Sequence, residues 1–139
     1  YERLITGIQR GQPILLRTMG ITVDFQGAYV FVSWFLSNDS RNYDAGDGTF
    51  GPVSPSSPLF KGGRGAFELA FRASYIDLTD KVVIGGEESN LSLGLNWYLN
   101  NKLRLMVNLI KVLDVNRPGS EYDGQDPLIF ALRAQWLIN

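Results

Sequence analysis

The sequence has 139 residues, with 13 Lys and Arg against 14 Asp and Glu, so its net charge is 13 − 14 = −1. It contains no His and no Cys, which excludes a His general base, a Cys nucleophile, a His-ligated metal and a disulfide framework. We therefore expect no enzyme, no cofactor and no metal site. The near-neutral charge argues against nucleic-acid binding. No run of about 18 apolar residues occurs, so no transmembrane helix is predicted.

Alternation of apolar and polar residues with a period of two predicts an all-β chain of six antiparallel strands. The clearest strand runs over residues 89–99, where every second residue from Leu91 to Leu99 is apolar and the residues between them are Ser, Gly, Asn and Tyr. A tight turn is expected after it at Asn100 and Asn101, because Asn tolerates a positive φ. The six strands are predicted, in chain order, at residues 1–10, 21–36, 66–77, 89–99, 102–112 and 128–138.

Two kinds of barrel share this alternation. A soluble barrel turns its apolar face inward, whereas a membrane barrel turns it to lipid. The predicted strands are roughly 10–13 residues long, beyond the ~5–6 of soluble sheets and close to the ~9–11 of a tilted membrane crossing. Counting back from a final strand that descends to the periplasm places four aromatic residues at one level. These predicted members of a lipid-facing aromatic girdle are Phe35, Phe67, Trp97 and Trp136.

One connection, residues 37–63, is far longer than a periplasmic turn should be. It contains three of the six prolines and is rich in Gly. Either it folds into the lumen as a constriction, or it contains a further strand pair. Its composition argues against strands, so the first interpretation is favoured. We expect one barrel domain over residues 1–139, with this connection folded toward the lumen or the periplasm.

Several segments resemble the phosphate-selective porins O and P. Residues 62–72 read GGRGAFELAFR, similar to the family's GGxGAxELAxR segment, and residues 90–100 read NLSLGLNWYLN. Shorter similar segments occur in the family's order: SWFL (33–36), YIDL (75–78), GGE (85–87), RLM (104–106), DP (126–127) and FALRAQ (130–135). The resemblance covers the chain from about residue 27 onward.

The resemblance implies a 16-stranded barrel in the outer membrane of a Gram-negative-type bacterium. Such barrels are usually trimers, contact outer-membrane lipid and lipopolysaccharide, and pass small anions such as phosphate through a basic constriction. Six strands do not close a barrel, since closure takes about eight. We therefore expect the C-terminal part of a barrel, completed by an upstream part of the same polypeptide or by other chains. Family members usually end on an aromatic residue, whereas here Ile138 and Asn139 end the chain.

The polar parity of the strands and their ends carries an excess of positive charge, 5 − 2 = +3. The residues counted are Arg64, Arg72, Lys102, Arg104 and Arg133 against Glu68 and Asp24. A guanidinium is a planar fork of donors that suits phosphate oxygens. The pore-lining candidates are therefore Arg104, Arg133, Arg72, Arg64 and Glu68. Glu68 is expected to pair with Arg72 or with an Arg of a neighbouring strand, which leaves Arg104 and Arg133 as the stronger candidates.

Three functions remain open at this point. The first is a porin, general or anion-preferring, that carries small solutes by diffusion. The second is a porin-like barrel with a plugged pore that serves as a scaffold or anchor in a larger envelope complex. The third is a soluble ligand-binding β-barrel. Conductance measurements separate the first two, and solubility without detergent would favour the third.

Overall fold

The computed structural model describes residues 2–10, 14–16, 21–41, 43–44, 46 and 49–138. The strands are β1 Glu2–Arg10, β2 Ile14–Leu16, β3 Ile21–Val23, β4 Gln26–Phe35, β5 Tyr43–Asp44, β6 Thr49–Phe50, β7 Ala66–Asp80, β8 Val83–Tyr98, β9 Leu103–Asn116 and β10 Leu128–Trp136. Six of them form one antiparallel sheet in the order β1-β4-β7-β8-β9-β10. The all-β class and the six principal strands are confirmed. Tyr1 and Asn139 lie outside the described residues.

The sheet has an apolar face and a polar face. Along one cross-strand row, Phe71 pairs with Leu93, Leu93 with Leu109, and Leu109 with Phe130. These four side chains are all exposed, so the apolar face lies uncovered. A row of the opposite parity runs from Ala66 through Tyr98 and Arg104 to Gln135. Because neighbouring residues of a strand point to opposite faces, the second row defines the polar face.

The β7–β8 hairpin is longer than predicted. Residues 81–88 were expected to form a connection, but the turn comprises only Lys81 and Val82. Lys81 has a φ of 52°, in the left-handed region that a tight hairpin turn requires. Alternation is lost near the turn because the two glycines of GGE interrupt it, and because the ladder shifts register between Asp77 and Thr79. A local bulge of this kind hides the strand from a period-two pattern.

The strand predicted over residues 21–36 is two strands. β3 pairs with β2 in a separate hairpin, and β4 begins at Gln26 after a break at residues 24–25. The backbone N–H of Asp24 donates to the carboxylate of Asp80 at 2.8 Å, which fixes the break against the end of β7. The alternation of faces counted from β3 therefore does not predict which residues of β4 share a face.

Residues 36–65, which we call the strap, connect β4 to β7. The strap contains the two-residue hairpin β5–β6 and one 3₁₀ turn, Leu59–Lys61. Its composition argued against strands, so the short pair was missed. Val53 of the strap is buried against Ala66 and Tyr98, with Phe35 beside them. The strap therefore packs against the polar face at one end of the sheet. In the described part of the chain, no helix is long and apolar enough to cross a membrane.

The end of the strap depends on Gly65. Its φ is +74°, and a Cβ at this position would lie 2.3 Å from the carbonyl oxygen of Tyr98. The Gly65 N–H donates to the carbonyl of Ser57 at 2.8 Å. The residue must therefore be left-handed and lie close to the backbone of β8 at once, which only Gly achieves without strain.

Gly65→Ala is expected to destabilise the protein clearly more than Gly62→Ala, by at least about 1 kcal/mol. Gly62 also has a positive φ, of +81°, but nothing lies within 4 Å of its would-be Cβ. The pair thus separates steric overlap from backbone strain. Thermal or denaturant unfolding of the full-length protein in detergent measures the difference. Equal losses in both variants would contradict the close approach to Tyr98.

Candidate functional site

The apolar face carries a row of aromatic side chains at the strand ends that lie near the strap. The rings of Phe67 and Trp97 stack with centroids 5.5 Å apart and planes 8° from parallel. The indole Nε1 of Trp97 donates to the carbonyl of Arg64 at 2.8 Å, so its polar atom is satisfied at the sheet edge. Trp136 lies on the same face, paired with Leu103, and is 72% exposed. Three of the four predicted girdle residues therefore share one face and one edge.

Phe35 was predicted to belong to this row, and that prediction is wrong. Phe35 pairs with Glu68, and its ring lies 6.0 Å from that of Tyr98, which places it on the polar face under the strap. Its neighbour Trp34 pairs with Leu69 on the apolar face instead. The physical reason is that β4 has bulky residues on both parities, so alternation does not define its faces. The parity was carried over from Val23, across the break before Gln26.

A second aromatic level lies farther along the apolar face. Tyr75 is eight residues beyond Phe67 in β7, about 26 Å along an extended strand and roughly 20 Å in height at the usual barrel tilt. Its hydroxyl donates to Glu87 at 2.8 Å. On the same face, one ladder row from Tyr75 toward Phe67, Lys111 pairs with Asp126 at 2.7 Å. Apart from this ion pair at its border, the face between the two levels is apolar, and its height approaches the ~25 Å band of a membrane barrel.

On the polar face, a buried carboxylate of β7 accepts hydrogen bonds from three donors, one in the strap and two in β8. Oε2 of Glu68 accepts from Nη2 of Arg41 at 2.7 Å, from the hydroxyl of Tyr98 at 2.7 Å and from the amide of Asn96 at 3.0 Å. Glu68 is only 1% exposed. The predicted pairing with Arg72 or a strand Arg is wrong, because the partner comes from the strap. Glu68 is also covered by the strap, so it presents no open surface to a pore.

Arg41 is the strap's charged anchor. Its Nη2 also donates to the hydroxyl of Tyr98 at 2.7 Å, so one nitrogen is shared between two acceptors. Burial lowers the pKa of Arg41, but its hydrogen bond to Glu68 and the neighbouring charges outweigh this and raise the pKa above its ordinary value. Arg41 is therefore cationic at every relevant pH. Its Nε is buried without a hydrogen-bond partner, which is costly for a donor of this kind.

The other candidate arginines do not form one cluster. Arg104 donates to Tyr98 at 3.1 Å and to Gln135 at 2.5 Å, so it extends the Glu68 group along the polar face. Arg72 is exposed, with its guanidinium carbon 5.2 Å from the ring centre of Tyr29.

The remaining two are exposed. Arg133 is paired with Met106 in the polar-face register. Arg64 precedes the turn at Gly65 and lies outside β7, so strand parity does not apply to it.

Sequence reasoning missed Arg41 and underrated Tyr98. Arg41 lies in a segment read only as Gly- and Pro-rich, and no local pattern identifies its partner 27 residues away. Tyr98 stands at the polar end of a well-read strand, and its hydroxyl signalled a need for partners if buried. The available signal was therefore an aromatic side chain with a hydroxyl, Tyr98, on the predicted polar face of its strand.

Strands of this length, with one face apolar between two aromatic levels and the other polar, form the wall of a transmembrane β-barrel. Six strands make part of such a wall, because a closed barrel takes about eight or more.

Comparison with known proteins identifies the family. The sequence model of the family described as phosphate-selective porin O and P matches residues 15–138. This chain belongs to that family of channels. An uncharacterized protein of Caulobacter vibrioides is 37% identical over 91 residues, which are 66% of this chain and 18% of that protein. The chain thus matches less than a fifth of this relative's length. No solved structure matches the chain.

Proposed function

We propose that the chain forms part of an outer-membrane channel through which small anions, phosphate among them, diffuse. The observation that carries this proposal is the charge of the polar face. Arg72 and Arg133 are exposed on it, and the nearby carboxylate of Glu68 is already paired with Arg41. Unpaired guanidinium groups on a wall facing water attract anions and repel cations. Glu88 lies on the same face, toward the opposite end of β8.

The rest of the assembly is part of the proposal. The other strands of the barrel come from the same polypeptide or from other chains, and three barrels form a homotrimer. Phospholipid and lipopolysaccharide cover the apolar face of the sheet, in the outer membrane. A barrel that serves as a plugged scaffold is the second candidate, because the strap covers part of the polar face.

Conductance of the full-length protein in planar bilayers tests the proposal. In a gradient of potassium chloride, the reversal potential should have the sign of anion preference, and added phosphate should reduce the chloride current. A preference for potassium overturns the anion assignment. Complete absence of conductance overturns the channel and leaves the scaffold.

Replacing both Arg72 and Arg133 by Gln should lower the ratio of anion to cation permeability about sixteenfold. Each charge contributes about 0.4 kcal/mol at ~10 Å in water, a factor of about two, and it acts with opposite sign on the anion and on the cation, so each removal changes the ratio about fourfold. Lys111→Gln serves as the control. It removes one positive charge from a residue that pairs with Leu91 and Leu128 on the apolar face, so the ratio should not change. A change of the ratio equal, per charge removed, to that of the double variant would show that overall charge, not the polar face, sets selectivity.

A further inference from the structure

A cavity of about 280 Å³ lies between the strap and the polar-face ends of β8, β9 and β10. The strap contributes Arg41 and Val53 to its lining. The sheet and its turn contribute Tyr98, Lys102, Arg104 and Gln135. The cavity is therefore a seam, with the strap on one side and the sheet on the other.

The charge of this seam is unbalanced. Arg41, Lys102 and Arg104 line it, and no Asp or Glu does so among the described residues. Glu68 is not part of the lining but binds Arg41. With its negative charge included, the local charge is 3 − 1 = +2. Three cations around one small cavity repel one another, and a low local dielectric strengthens that repulsion.

The donors of the seam are also incompletely used. Nε of Arg41 is buried with no partner. A guanidinium carries five N–H donors, and the hydrogen bonds of Arg104 engage only its terminal nitrogens, with Tyr98 and Gln135. An acceptor placed in the cavity would satisfy donors from the strap and from the sheet together.

We propose that this seam binds a small oxyanion, of the size of phosphate, which bridges Arg41 to Arg104 and holds the strap seated. This inference rests on the proposed function, because it takes the polar face to be the lumen. The anion here is a resident of the seam, separate from the ions that pass. It neutralises the excess charge and gives the buried Nε its acceptor. Occupancy and strap seating are thermodynamically linked, so each favours the other.

A cysteine at the buried contact between the strap and the sheet reports whether the strap is packed against the sheet. Val53 is 5% exposed, and Val53→Cys would be the sole thiol of this segment, since the chain has none. In full-length protein, the rate of modification by a hydrophilic maleimide should fall as inorganic phosphate is added, by the factor 1 + [phosphate]/Kd, or about elevenfold at ten times Kd. If Val53→Cys does not assemble, Ala66→Cys places the thiol on the other side of the same contact.

Matched controls separate binding from other effects. Chloride at equal ionic strength should leave the rate unchanged, and Arg104→Gln should abolish the response to phosphate. An equal effect of chloride overturns the proposal in favour of charge screening. A phosphate response that survives Arg104→Gln places the anion elsewhere and also overturns it. No response in a protein that conducts sinks the seam site alone, whereas absence of conductance sinks the proposed function.

Discussion

Leu109→Lys is expected to destabilise the assembled barrel by about 2–4 kcal/mol, the cost of a Lys on the lipid face near the bilayer midplane. Leu109 is 40% exposed and lies in the row between Leu93 and Phe130, about halfway between the aromatic levels at Trp97 and Tyr75. Lipid offers the ammonium no hydrogen-bond partner there, and the four-carbon stem reaches the interface only partly. Denaturant unfolding in lipid vesicles measures the loss.

Asn108→Lys is the matched control. Asn108 is the preceding residue of β9 and faces the opposite side, paired with the small residues Gly94 and Ala131. The same ammonium there meets water in the lumen, so the expected change is within about 0.5 kcal/mol. Equal losses in the two variants would refute the assignment of the faces. A larger loss for Asn108→Lys would show that the polar face, and not the apolar face, is the one excluded from water.

The strands from β7 onward could be predicted because each of them has a single clear face. In β8 every second residue from Leu91 to Trp97 is apolar, and a one-residue slip would turn all of them to the wrong side. Phe35 could not be placed in the same way. With Tyr and Phe on one parity of β4 and Val and Trp on the other, only its register with Glu68 and Leu69 decides the face.

The strap and its anchor were beyond the reach of a periodic pattern. Such patterns describe residues whose partners lie at fixed spacing, as within a strand or a hairpin. Arg41 meets Glu68 and Tyr98 only because the strap folds back over the sheet, and nothing in its neighbouring residues encodes that path. Glu68 could be identified as charged and inward-facing, but its burial depends on Val53 and the rest of the strap.

Arg41→Ala is expected to unseat the strap, at a cost of about 3 kcal/mol. Removing one partner of a buried ion pair costs about 3–5 kcal/mol, because the other charge stays buried. The lower end applies here, since Tyr98 and Asn96 still donate to Glu68. Three kcal/mol is a factor of about 150 in an equilibrium constant. Modification of the Val53→Cys thiol should accelerate accordingly, until the unseated state predominates.

Glu68→Gln is expected to cost less than Arg41→Ala, although it breaks the same ion pair. The side chain of Arg41 is 30% exposed, against 1% for Glu68, so the guanidinium can turn toward water while the carboxylate cannot. The double variant should therefore be closer to the wild type than Arg41→Ala alone, because no buried charge is left unpaired. If Glu68→Gln proved the costlier change, the guanidinium of Arg41 left without its anion, and not the unpaired carboxylate of Glu68, would be the main cause of the loss. Arg41→Lys distinguishes charge from shape: it keeps the cation but loses the nitrogen shared by Glu68 and Tyr98. An intermediate rate of thiol modification is expected for it.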